Sequence, residues 1–600
     1  MIPVSRDAAG FADLDSYAAL GDGRSIALSG TDGGIDWWCV PNMDSPPLFD
    51  RLLAGSAPLQ NGAQAGFFDI TPRDAHQVDR RYRPDSNVLE TRFRGPEGVA
   101  LLTESLNSGT AGRLPWCELA RRVEVLEGRM SFDITLQLGH RAGLRSPYLS
   151  CRGPHETFHV GSVLGLFLHG DGVKITDQGD DRVTARLDLA AGQREILAIV
   201  AGANEPLVVP ALADIDARID LSDQEWRDWC GSFAPDHPDR DFLVRQALAL
   251  KMLLYAPSGA IAAAATTSLP ERIGGNKNYD YRFAWVRDAG YVIASFLRLG
   301  VVIEAKAALT WLLNQLCAHG ARVCFRLDGG VEETVRQVDL PGYRHSRPIL
   351  AGNRAAHQHQ HGIYGDIFET VSVFTRAGNL IDARSAETLS HLADECADRW
   401  KLKDSGIWEL PELEHYTMSK ISCWQALNRA VELADAGQLP TTCRDRWSRE
   451  RQRIADWIDA NCWNEDLGAY VMHPGTTRLD ASLALAVRFD FDGHDRLRRT
   501  LDAIDRDLGA DRHLHYRYTG MDQEEGCFLA CSFWMVEARA LLGQMDEART
   551  LMVGLRQTIA DGPGILPEMI DPRTGAWLGN MPQGLSHLAA LQASLTLQQV

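Results

Sequence analysis

The eleven residues Asn278-Tyr-Asp-Tyr-Arg-Phe-Ala-Trp-Val-Arg-Asp288 hold four aromatic rings, two arginines and two aspartates. A run of helix-forming residues, Ala289 to Leu299, follows directly. Flat apolar rings beside paired charges suit a sugar, because ring faces stack and Arg/Asp pairs fix hydroxyls. A second reading stays open at this point, in which an Arg–Asp pair is buried and only secures the start of the helix.

Two further stretches place a carboxylate beside stiff or apolar neighbours in a loop: Asp404-Ser-Gly-Ile-Trp-Glu409-Leu-Pro-Glu412 and Gly564-Ile-Leu-Pro-Glu568-Met-Ile-Asp571-Pro. Loops are where sites concentrate. Glycoside hydrolysis needs such a pair, one carboxyl protonated near neutrality and one ionised to activate water or attack the anomeric carbon. Trp408 beside Glu409 offers apolar surface that would raise a carboxyl pKa. The plainer alternative for either Glu is a solvated loop charge or a helix cap.

Other chemistry-bearing residues point less far. His357-Gln-His-Gln-His361 alternates as an extended chain would and has no matching Cys/His set nearby, so sugar hydrogen bonding or packing is preferred over metal binding. Glu524 and Glu525 read as the opening of a helix, where carboxylates favour the dipole. His415 and Lys420 flank a loop-to-helix junction and are compatible with either a site or a structural role. Neither a Gly-x-Ser-x-Gly elbow nor a Gly-x-x-x-x-Gly-Lys loop occurs, which removes an α/β-hydrolase nucleophile and a phosphate loop.

The elements that must position these residues fall into two textures. At 600 residues the chain is too long for one core, so two domains are expected. From about 65 to 205, short runs rich in Val, Ile, Leu, Thr and Phe are separated mostly by Gly, Asp or Pro: Asn87–Phe93, Val99–Glu104, Cys117–Val125, Met130–Leu138, Val163–His169, Arg182–Leu189 and Glu195–Ala201. They imply an antiparallel sandwich. Asp214 to Trp229 has helical character, and Ala234-Pro-Asp-His-Pro238 reads as a linker. Beyond it about twelve helical segments follow, usually in pairs, from Asp241–Tyr255 to Ser586–Leu597, with Ala481–Phe489 and Glu524–Leu542 among them. Twelve helices suit a six-hairpin toroid with a central funnel. A helical solenoid competes, and no clear fixed-period repeat favours it. The fold class is therefore a multidomain α and β protein: an N-terminal antiparallel β-sandwich over 1–210, a helical linker over 211–240 and a C-terminal (α/α)6 barrel over 241–600.

A net charge of −19 argues against a nucleic-acid backbone or an anionic membrane as partner and suits a neutral small molecule. The start of the chain, Met1-Ile-Pro-Val-Ser-Arg-Asp7, carries no apolar stretch of leader length, so a cytoplasmic protein is expected. The twelve cysteines lack metal spacing and read as reduced thiols, mostly buried. No cofactor is expected, and the oligomeric state is left open.

Together these residues resemble glycoside hydrolase family 15, the glucoamylases and their relatives among bacterial and archaeal trehalases. The likeness runs from Gly21-Asp-Gly-Arg24, Asp32-Gly-Gly-Ile-Asp-Trp37 and Pro41-Asn-Met-Asp-Ser-Pro46 through Thr266-Thr-Ser-Leu-Pro-Glu271 to Trp285-Val-Arg-Asp288. It continues in Gly406-Ile-Trp-Glu409 with His415-Tyr-Thr-Met-Ser-Lys420, in Pro567-Glu568, and in Leu578-Gly-Asn-Met-Pro-Gln583 with Ser586-His587. The resemblance implies hydrolysis of an α-linked glucoside with inversion, with Glu409 as general acid and Glu568 as general base. It also implies that Arg287 and Asp288 hold the hydroxyls of the non-reducing glucose and that Trp285 and Trp408 line that subsite. Inversion requires the carboxylates roughly 6.5–9.5 Å apart, with a water beneath the sugar. Three departures bear on the second sugar. Met569 follows the base, where many relatives have an acid. Gly362 stands in a Gln358-His-Gln-His-Gly362 run that commonly ends in Asp. The residues between Trp408 and His415 differ from the common form. The expected substrate is trehalose, with a glucoamylase-type exo-hydrolase of maltose, isomaltose or longer glucans as the alternative and a non-catalytic sugar-binding protein as a third reading.

Overall fold

A computed structural model describes residues 6–56, 64–109, 113–139, 147–153, 155–233, 237–332, 334–491 and 494–599. Residues 1–5 of the chain's start and 234–236 of the expected linker lie outside the described residues.

The β half is antiparallel throughout, and one long strand, Cys117–Gln137, joins its two layers. The first part of this strand pairs with Gly98–Leu106 and Arg194–Ala203. The last part pairs with Phe67–Pro72 and Arg182–Ala190. Two separate strands, Cys117–Val125 and Met130–Leu138, were expected here. Gly128 takes a positive φ of 65°, yet pairing continues through it, with Gly98 opposite. Met130, Phe132, Ile134 and Leu136 point inward while Ser131, Asp133 and Thr135 do not, as a period of two requires. The layers face each other: Phe68 of one and Phe167 of the other meet edge to face with centroids 5.8 Å apart. The helix Leu212–Gly231 packs on the outside of the sandwich through Ile215 and Ile219, with Arg122 bonded to Asp216 and Arg218 to Glu118.

In the helical half, six helices form an inner ring. They are Val286–Leu299, Gly362–Arg376, Thr417–Asp435, the single turn Leu485–Arg488 with the 3-10 turn Ala481–Ala484 before it, Leu529–Leu541 and Gly584–Gln599. Each touches the next, and the last touches the first. That closure excludes a solenoid. The outer helices alternate with them in sequence: Arg240–Leu253, Val302–His319, Ala383–Arg399, Arg444–Asn461, His494–Leu508 and Met545–Thr558. The inner helix Val286–Leu299 is buried on nearly every side. The outer helix His494–Leu508 buries only a stripe, with Leu497, Leu501, Ile504 and Leu508 at helical spacing. Among the described residues no helix is long and apolar enough to cross a membrane.

The two halves share a core. In the strand Gly34–Cys39, Trp38 packs into the sandwich while Trp37 packs among barrel residues and donates its Nε1–H to the Ala265 carbonyl at 3.0 Å. Arg282 pairs with Asp280 through two hydrogen bonds of 2.9 and 2.8 Å and reaches the Ser45 carbonyl at 2.9 Å. The structural reading of the Arg/Asp-rich stretch thus holds for Asp280 and Arg282. The pair at 287–288 is placed differently.

Candidate active site

Glu409 sits in the loop between the helices Ala383–Arg399 and Thr417–Asp435, closed at its base by the Asp404–Glu414 bridge. Its backbone is left-handed, with φ +60°, which is uncommon for a residue with a side chain and costs on the order of 1–3 kcal/mol. The preceding Gly406, at φ +66°, is there because a Cβ would lie 2.8 Å from the Tyr416 ring. The Glu409 carboxyl accepts the Trp285 Nε1–H at Oε1, 2.7 Å away. Trp285 is itself held by the pairing of Ala284–Trp285 with Cys324–Phe325, at the start of the helix Val286–Leu299. Arg287 donates Nε to Asp288 at 2.8 Å and Nη1 to the Ile407 carbonyl at 3.1 Å, so it braces the Glu409 loop from the ring. Burial raises the Glu409 pKa; Arg287 and the Trp285 N–H oppose that, and Asp288 adds to it.

Glu568 comes from the opposite side of the ring. A three-stranded sheet of Cys527–Phe528, Met569–Ile570 and Trp577–Leu578 fixes its backbone, with Glu568 N donating to the Asn580 carbonyl at 3.1 Å and Leu529 N to the Glu568 carbonyl at 3.0 Å. Its side chain is buried, at 2% exposure. Oε2 accepts the Asn580 backbone N–H at 3.2 Å, and the nearby Tyr281 hydroxyl favours the ionised carboxylate. Gly579, at φ +72°, is required: a Cβ there would lie 2.4 Å from Oε2. Burial pushes the Glu568 pKa up to about 7, against the pull of Arg517, the Asn580 N–H and the Tyr281 hydroxyl, with Glu525 pushing further up.

Tyr281 and Trp285 connect the two carboxyls. Their rings meet edge to face with centroids 5.4 Å apart, Trp285 bonding Glu409 and the Tyr281 hydroxyl favouring the ionised form of Glu568. Trp408 is fixed by its Nε1–H to Asp480 Oδ1 at 2.9 Å, and the Arg517 guanidinium lies 5.6 Å above its ring centroid. All six residues expected to form a site, Trp285, Arg287, Asp288, Trp408, Glu409 and Glu568, therefore fall in one connected network.

Sequence reasoning missed a second cation of that network, Arg517. Arg517 bonds Glu525 through Nε at 2.6 Å and Glu271 through Nη2 at 2.7 Å, and Lys277 adds a contact to Glu525 at 2.9 Å. The Glu271 pKa is driven up by burial, while Arg517 and Lys277 overcome that for Glu525 and hold it down. Glu524 and Glu525 do not open a helix, because Cys527 and Phe528 are claimed by the sheet that carries Glu568 and the helix starts only at Leu529. Glu524 ends a 3-10 turn, and Glu525 is buried against Arg517. The only local signal was an arginine between two tyrosines, Tyr516-Arg-Tyr518, in a loop.

The remaining candidates have structural roles. The His357–His361 run is extended at Gln358 but not at its ends, where His357 closes a 3-10 turn and His361 precedes the helix Gly362–Arg376. Among the described residues no three His, Cys, Asp or Glu side chains are grouped as a metal would need. Lys420 is buried and caps the carbonyls of Trp400 and Leu402 at 2.5 and 2.6 Å. His415 packs its ring against Trp457 at 5.4 Å.

The family model described as Glycosyl hydrolases family 15 matches residues 237–553, more than half of the chain. The chain belongs to glycosyl hydrolases family 15. This family 15 protein also matches the model Trehalase-like, N-terminal over residues 8–113. It is 32% identical to the trehalase of Mycolicibacterium smegmatis, over 97% of this chain and 91% of that one. It is 28% identical to the trehalase of Thermoplasma acidophilum, over 95% and 98%. Among solved structures, a bacterial glucoamylase complexed with acarbose superposes with a TM-score of 0.72 at 12% identity, covering 100% of this chain and 96% of that one, which shows the fold. The family 15 chain is thus a glycoside hydrolase with an N-terminal antiparallel sheet domain and a helical C-terminal domain of the (α/α)6 type.

Proposed function

We propose that the protein hydrolyses α,α-trehalose to glucose with inversion, releasing β-glucose from the attacked unit. The observation that carries this is the pair of carboxyls, the half-buried Glu409 and the buried Glu568, linked through the edge-to-face rings of Trp285 and Tyr281. Relatives named trehalase that align over almost the whole chain support the choice of substrate.

In this reading Glu409 is the general acid. Trp285 occupies Oε1, which leaves Oε2 to carry the proton to the glycosidic oxygen. Glu568 is the general base. The Asn580 N–H, the Tyr281 hydroxyl and the Arg517 charge all favour its ionised form, which takes the proton from a water attacking C1. The C1–O bond breaks as the water oxygen bonds to C1, leaving Glu409 ionised and Glu568 protonated until solvent resets them. Arg287 and Asp288 hold hydroxyls of the cleaved glucose, and Trp285 and Trp408 supply its apolar walls. Residues 241–600 form the catalytic unit, 1–210 the sandwich and 211–240 the connection.

Proton NMR from the first minutes with trehalose, maltose and isomaltose in parallel tests the proposal. β-Glucose ahead of mutarotation, formed fastest from trehalose, is expected. Maltose or isomaltose cleaved faster would move the substrate to the glucoamylase type, α-glucose first would remove inversion, and three intact sugars would remove both substrate readings.

A further inference from the structure

We propose that Gln358 is a positioning residue for Glu409, acting on its backbone rather than on the sugar. The proposal rests on the reading of Glu409 as the general acid.

Glu409 occupies a left-handed backbone conformation that a glutamate does not prefer, so something must hold it there. Its own N–H gives little help, reaching the Gly406 carbonyl only at 3.4 Å. Its carbonyl is better anchored, accepting Gln358 Nε2–H at 2.9 Å. The orientation of that amide is set in turn. Gln360, buried at 5% exposure, donates to Gln358 Oε1 at 3.1 Å, which turns the NH2 group of Gln358 toward Glu409. The same short segment holds the acid loop at two more points. Ser405 N donates to the His359 carbonyl at 3.0 Å, and His361 N donates to Asp404 Oδ2 at 2.8 Å. The segment 358–361 is therefore a clamp on 404–409, and Gln358 grips the residue whose carboxyl must meet the glycosidic oxygen. A proton donor displaced by an ångström loses rate without losing substrate affinity.

The test uses the full chain and compares Gln358→Ala, Gln358→Glu and Gln360→Ala with wild type. The substrates are the disaccharide the enzyme cleaves and α-glucosyl fluoride, whose leaving group needs little protonation. For Gln358→Ala, kcat on the disaccharide should fall about tenfold or more, with KM within about twofold and kcat on the fluoride within about threefold. Gln358→Glu keeps the size of the side chain but cannot donate when ionised, so it should lose at least as much. Gln360→Ala should show the same pattern more weakly and stands in if the Gln358 variants fail to fold. Wild-type rates in Gln358→Glu, equal losses on both substrates, or a change confined to KM would each overturn the proposal. Glu409→Gln, run alongside, separates the two failures. If it shows no leaving-group bias, the acid assignment falls first; if it does and the Gln358 series does not, only the positioning role falls.

Discussion

As the proposed general base, Glu568 would have to be both buried and ionised, and the two demands conflict. Its folded pKa of about 7 lies above the roughly 4.3 of a free glutamate. Between those values the folded protein binds more protons than the unfolded chain, so this group takes stability away as pH rises from about 4 through 7. Glu568→Gln removes that titration while keeping the shape. Hydrolysis should fall by several orders of magnitude with the fold intact, since an amide cannot accept the water's proton. The melting temperature of the variant should gain on wild type as pH goes from 5 to 8; a difference that is flat or shrinks over that range would mean Glu568 is not the strained group. Glu409→Gln should instead hurt trehalose far more than an α-glucoside with a good leaving group, and equal losses would remove the acid role.

Elements decide where such residues end up, and here sequence and structure part company in an instructive way. The inner helix Val286–Leu299 was legible as an unbroken run of helix-forming residues, and the outer helices because one-sided burial imposes a 3.6-residue period within one element. The start of the helix at Leu529 was not, because residues 527–528 are held by a partner forty residues later, Met569–Ile570. Arg517 escaped for the same reason: Glu271, its ion-pair partner, is 246 positions away. Five of the six candidate residues stand out because they sit in short aromatic-charged motifs and Glu568 because it follows a proline in a loop, whereas Gln358 and Arg517 show their contacts only in the folded chain. Gly579 tests the sheet that carries the base. A methyl at Gly579→Ala must displace the Glu568 carboxyl, and φ +72° adds strain, so kcat should fall at least about tenfold with about 1–2 kcal/mol of stability lost. Unchanged kcat would show that Glu568 need not be held where it is.

The whole molecule explains why a sandwich precedes the barrel at all. Trp37 and Trp38 are neighbours on one strand, and alternation sends one into each half. From Trp37 a short path leads to Glu568: its Nε1–H bonds the Ala265 carbonyl at 3.0 Å, Thr266 Oγ1 bonds Asn580 Oδ1 at 2.9 Å, and the Asn580 N–H bonds Glu568 at 3.2 Å. The sandwich therefore buttresses the loop that fixes Glu568, across the junction between the halves. Trp37→Phe keeps most of the buried area and deletes the hydrogen bond, leaving the Ala265 carbonyl without that donor. It should lose about 1–3 kcal/mol of stability and, because residues 265–266 loosen, also lower kcat several-fold with KM nearly unchanged. Trp38→Phe is the control, since its Nε1–H bonds Ser25 Oγ at 3.0 Å inside the sandwich. It should lose stability of similar size with kcat intact. Equal kcat in the two variants would mean that the sandwich only stabilises the barrel and takes no part in placing Glu568.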